Sequence, residues 1–135
     1  MHKDLIFPEI KNVYVVAVKE WNDDFGANIW IAYLVNHQEE EIDNIMVVTK
    51  ASGTLQGEMR KTSLLRHAYP VLGAFSATKI ELIPPDLEVL DNEFMVTFFQ
   101  GKTLYDKKYF ITKAQFAESN LQRLPVLEKD GIIAR

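Results

Sequence analysis

The run EFMVTFFQGKTLYDKKYFI, residues 93–111, reads as two strands joined at Gln100-Gly101. Glu93 to Phe99 and Lys102 to Ile111 are rich in aromatic and β-branched residues, which fit a pleated, half-buried surface. Gly101 tolerates the positive φ that a tight hairpin turn demands. An antiparallel hairpin is therefore the seed from which the rest of the chain is read.

Working outward, Val13 to Lys19 (VYVVAVK) and Ile29 to Val35 (IWIAYLV) have strand length. Their almost unbroken apolarity implies that both of their faces are covered. Ile42 to Lys50 (IDNIMVVTK) is a third strand with apolar residues on both sides: Ile42, Met46 and Val48 against Ile45 and Val47. That is more than one interior requires, so the tail or a second subunit must cover the surplus. Met59 to Arg66 is readable as a strand or a short helix, with Thr62 favouring the strand. Ala77 to Ile83 alternates and is cut off by Pro84-Pro85. Thr112 to Asn120 reads as a short C-terminal helix with Thr112 as N-cap and Phe116 as its apolar anchor. The tail beyond it looks irregular, yet Leu124, Val126, Leu127, Ile132 and Ile133 make it too apolar to float free, and an ordered tail is expected.

About seven short strands with little helix point to a mainly β fold, an antiparallel two-sheet sandwich of immunoglobulin-like type. A small closed barrel is the alternative, because strand counting does not separate closure from stacking. No repeat, low-complexity tract or linker divides residues 1–135, which read as a single domain.

Composition limits the chemistry. The 135 residues carry 47% hydrophobic and 25% charged residues, an ordinary globular balance. The net charge of −4 opposes a phosphate-binding surface, so nucleic acid is not the expected partner. With no cysteine, disulfides, thiolate nucleophiles and Cys-based metal sites are excluded, and a reducing compartment is compatible. Met1 to Pro8 lacks the long apolar core of a signal peptide, and no run approaches the ~20 apolar residues of a membrane span. A soluble, cytoplasmic chain is the simplest expectation.

Motif candidates are weak one by one. Gly53-Thr54-Leu55-Gln56-Gly57 evokes a phosphate loop, but Glu58 stands where the lysine belongs and would repel the phosphate. Glu39-Glu40-Glu41, Asp23, Asp24 and Asp43 could supply calcium oxygens, but the three glutamates are consecutive rather than alternately spaced. His2, His37 and His67 form no pair with metal-ligand spacing. Ser63 and His67 could meet only on a helix, and no nucleophile-elbow pattern surrounds the serine. Lys107 and Lys108 on a strand would point to opposite faces, which breaks a basic stripe. Trp21, set in the polar segment Glu20 to Gly26, either plugs the end of the sandwich or marks a contact surface. No catalytic residue, metal ligand or cofactor site is assigned. The candidate interaction surface consists of Trp21, Arg60, Lys61, Arg66 and His67.

Pro8 to Tyr14, Ala17 to Glu20, Lys61 to His67, Asn92 to Phe94, Val96 to Phe99, Asp106 to Lys108 and Leu124 to Val126 carry a resemblance. Through them the chain resembles a small family of uncharacterised bacterial proteins often labelled phenylalanyl-tRNA synthetase alpha subunit-related. The resemblance implies a link to translation, through contact with tRNA or a synthetase. A class II synthetase core would also need a glycine-rich segment ending in arginine, and no Gly-x-Gly-x-Gly-Arg run exists among six glycines. The expected function is a non-catalytic binding or protein-interaction module that associates with a protein partner or with itself.

Overall fold

The computed structural model describes residues 8–135. The readings of the extreme N-terminus and of His2 lie outside the described residues. Ten strands are present: β1 (Val13–Asn22), β2 (Ala27–Asn36), β3 (Ile42–Leu55), β4 (Glu58–Lys61), β5 (Leu65–Leu72), β6 (Ser76–Ile83), β7 (Asp91–Gln100), β8 (Thr103–Ile111), β9 (Gln122–Arg123) and β10 (Asp130–Ile133). One helical turn, α1 (Pro85–Glu88), joins β6 to β7.

The strands form two antiparallel sheets. The first has the order β6-β2-β1-β10-β9, and the second β4-β3-β7-β8 with β5 also paired to β3. Their inner faces share one core, in which Val15, Trp30 and Leu34 of the first sheet meet Ile45, Phe94 and Phe98 of the second. Tyr109 ties the sheets together: its buried hydroxyl donates to the Val13 carbonyl at 2.6 Å. The β7–β8 hairpin turns at Gly101, whose φ is +62°.

The described residues form ten strands rather than about seven, for local reasons. β3 is long enough to take two partners on one side, β5 along Ile42–Thr49 and β4 along Ser52–Leu55. A single strand over 59–66 would have to serve both stretches. Instead Thr62 ends β4 by bonding twice to Ala51, through its backbone N–H (2.8 Å) and its Oγ1 (2.9 Å). β9 and β10 have two and four residues, too short for periodicity to reveal.

The expected helix over 112–120 is two separate 3₁₀ turns, Lys113–Gln115 and Glu118–Asn120. Thr112 does open the first, its N–H donating to Gln115 Oε1 at 2.8 Å. Phe116 then breaks the helical path: its ring packs 5.6 Å from the Trp30 ring, and Ala117 is extended. The anchor that suggested a helix is what interrupts it.

β1 and β2 are buried on both faces, with Val15 to Val18 and Ile29 to Ala32 each at most 3% exposed. The outer cover is the tail. Val16, Val18 and Val35 form a second cluster with Leu124, flanked by Val126, Leu127 and Ile133. β10 pairs with β1 in the register Val16↔Ile133 and Ala17↔Ile132. Arg135 and Phe110 then exchange two backbone hydrogen bonds of 2.9 Å, which carries the pairing from the first sheet to β8 of the second. On the opposite side the sheets meet through side chains, with Tyr69 donating to the Lys79 carbonyl at 2.9 Å.

Candidate interaction face

The outer face of the second sheet has no such cover from the described residues. A β-bulge in β3 decides which residues reach it. Asn44 has φ +48°, and the β3–β7 register shifts between Asp43 and Met46. The extra residue brings Ile42 onto the same side as Ile45 and Val47, all three in the core. The two-sided surplus read from the sequence is thus smaller by one residue. Met46 and Val48 still point outward.

Cross-strand register arranges the central part of this face in four rows, with Lys61, Ser52 and Asp91 lying beyond the fourth. Asp43 lies beside Val71 and Phe99, with Leu104 beyond. Met46 follows, beside Ala68 and Thr97, with Asp106 beyond. Val48 lies between Arg66 and Met95, with Lys108 beyond. Lys50, Glu93 and Phe110 complete the fourth row. Met46, Met95, Phe99 and Phe110 are 37–39% exposed, and Val71 is 51% exposed. Methionine suits such a surface because its unbranched thioether adapts to irregular partners.

Charge on the face is polarised along the strands. The first two rows carry Asp43 and Asp106 and no cation. The last two carry Arg66, Lys108 and Lys50 against Glu93 alone. Glu93 is clamped between the two lysines, 3.4 Å from Lys50 Nζ and 3.7 Å from Lys108 Nζ.

The residues singled out from the sequence do not form one patch. Arg66 is on this face, and strand alternation puts Lys61 on the same side and Arg60 on the other. Arg60 pairs with Glu58 at 3.3 Å. His67 points between the sheets, its Nε2 3.6 Å from Glu81. Beside it, burial raises the Tyr69 hydroxyl pKa above the ordinary tyrosine value, and the Glu81 charge adds to the effect. Trp21 belongs to the first sheet and is 61% exposed, its Nε1 donating to Asp23 at 2.8 Å. It does not plug the end of the fold; there Phe116 packs on Trp30 instead. Lys107 and Lys108 do diverge, Lys107 lying 4.7 Å over the Tyr109 ring while Lys108 reaches Glu93.

The other motifs resolve into scaffold. Gln56-Gly57 is the two-residue turn of the β3–β4 hairpin, with φ of +52° and +80°, the type I′ signature. Asp23 and Asp24 sit at the β1–β2 tip, and Asp43 is the second residue of β3, separated from them in the chain by the whole length of β2. Among the described residues no group of three or more His, Asp or Glu side chains converges as a metal site. Ser63 lies in the connection before β5, with no helix to bring it against His67. Among the described residues no helix is long and apolar enough to cross a membrane.

Met95 and Phe99 are the members of this face that the sequence reading did not single out. The signal was present: Met95 and Phe99 alternate with Phe94, Val96 and Phe98, so this strand too is apolar on both faces. A scan against protein-family models and a search of curated proteins both find no match to this chain.

Proposed function

We propose that this chain is a non-catalytic protein-interaction module, an immunoglobulin-like sandwich that binds a protein through the outer face of its second sheet. The observation that carries the reading is the grouping of Met46, Met95 and Phe99, each more than a third exposed and set on neighbouring strands of one sheet face by the β3–β7 register. Apolar area grouped on one sheet face and rimmed by charge is the usual composition of a docking surface. The immunoglobulin-like description is supported by stacked antiparallel sheets with hairpins at β1–β2 and β7–β8. The lack of cysteine agrees with work in a reducing cytoplasm.

The test is position-specific photo-crosslinking. A benzophenone side chain replaces Met95 in one variant and Glu58, at the β4 hairpin tip, in another. Irradiation in a lysate of the source organism should give a protein adduct from position 95 and none from position 58. Equal labelling from both positions, or none from 95, refutes the assignment of the face.

A further inference from the structure

Building on that reading of the face, we infer that its occupant is a second copy of this chain, packed face to face about a two-fold axis perpendicular to the strands. Two observations lead there. The sequence demanded a cover for surplus apolar residues, either the tail or another subunit. The tail is spent on the first sheet, where Leu124 packs on Val16, Val18 and Val35. Met46 and Met95 on the second sheet therefore remain for a partner.

The charge pattern then selects that partner and its orientation. A face with carboxylates at one end and a cation surplus at the other is complementary to itself when one copy is turned end for end. The perpendicular axis lays the first row of one copy over the fourth row of the other, and the second over the third. Asp106 then faces Lys108 of the other copy, and Asp43 faces Lys50. Leu104 falls over Phe110 and Met46 over Val48, so apolar residues also meet. A two-fold axis parallel to the strands would stack cations on cations instead. Four strands across eight residues span roughly 20 by 26 Å. That footprint of about 520 Å² falls below the ~800 Å² per partner of a standard interface and in the range of transient contacts, so the dimer is weak and concentration-dependent.

Sedimentation equilibrium of the full chain, from about micromolar to millimolar concentration, tests this. The unaltered chain should shift from monomer to dimer across the series. Asp106→Lys and Lys108→Asp should each weaken association on the order of tenfold or more. An equimolar mixture of the two variants should recover the dimer, because both cross-copy pairs are then of opposite charge. Far-ultraviolet circular dichroism melts verify that each variant is folded. A chain monomeric throughout, a dimer indifferent to both reversals, or a mixture no tighter than its components each overturns the inference. If the chain is monomeric while the probe at position 95 still labels another protein, self-pairing falls and the interaction face stands. If that probe labels neither another protein nor a second copy, both fall together.

Discussion

Replacing Gly131 with alanine should damage this domain more than any comparable surface change. A methyl group there would run into the Ala17 backbone carbonyl of β1 and come within 2.6 Å of Leu124 Cδ1. The carbonyl has no room to retreat, since Ala17 is fully buried in the middle of the first sheet. If β10 holds its place, overpacking costs about 1–3 kcal/mol. If β10 lifts away, Ile132 and Leu124 lose their burial, at roughly 1.5–3 kcal/mol each. The chain takes the cheaper route or a mixture, so about 2–3 kcal/mol is expected. With an unfolding entropy of about 2.1 cal/mol/K per residue, each kcal/mol lowers Tm by roughly 3–4 °C in a chain of 135 residues. Calorimetry should therefore show a fall of roughly 7–10 °C. Gly73→Ala is the control, because its added methyl would meet only Ser76 Oγ at an ordinary 3.5 Å. Combining Gly131→Ala with Leu124→Ala should give less than the sum of the two effects, since one of the two collisions is removed. Equal melting temperatures for the Gly131 and Gly73 variants would refute the close approach of β10 to β1.

Three further outcomes are expected. Deleting residues from Leu124 onward should lower Tm and increase dye binding to exposed apolar surface, because Val16, Val18 and Val35 lose their cover; an equally stable truncated chain would contradict the second cluster. Gly101→Val should cost about 1–3 kcal/mol in urea titration through strain at positive φ, since open space surrounds the position and a clash is not the cause. Burial, with a contribution from Tyr14, raises the Tyr109 pKa well above normal, and burial with the Glu20 hydrogen bond pushes Tyr33 up to about 12. Both folded values exceed the unfolded value of about 10, so this stability is complete below about pH 10 and lost as pH rises toward 12. The urea midpoint should stay flat to about pH 10 and then fall, and Tyr109→Phe should soften the fall while orphaning the Val13 carbonyl; a midpoint constant to pH 12 would refute the burial of these hydroxyls.

The strands that run through the middle of each sheet were legible because their residues answer to one simple demand. Val13 to Val18 and Ile29 to Val35 are apolar at every step, and both prove to be covered on both sides. The β7–β8 hairpin was equally clear, since Gly101 occupies the position where the turn needs it. Elements set by tertiary contacts were not. Phe116 looked like a helix anchor but is drawn into the core by Trp30, and the division of β4 from β5 depends on Thr62 finding Ala51. The candidate face was half legible. Its apolar surplus could be counted from Ile42 to Lys50, but the bulge at Asn44, which moves Ile42 inward and leaves Met46 out, leaves no mark in composition. Trp21 stands out in a polar segment, whereas Met95 and Phe99 sit in a strand whose apolar residues are all compatible with burial.

The pairing of β1 with β10 has a kinetic consequence. Val16 finds its partner Ile133 almost at the other end of the chain, so the innermost strand of the first sheet waits for nearly the whole sequence to be in place. Contacts this distant in sequence slow folding, because the loop-closure entropy must be met before the contact gives anything back. Until β10 docks and Leu124 closes over the sheet, Val16 and Val18 present a bare β-rich stripe beside an unpaired edge. That interval, rather than the finished fold, is when this chain is most exposed to pairing with the wrong strand.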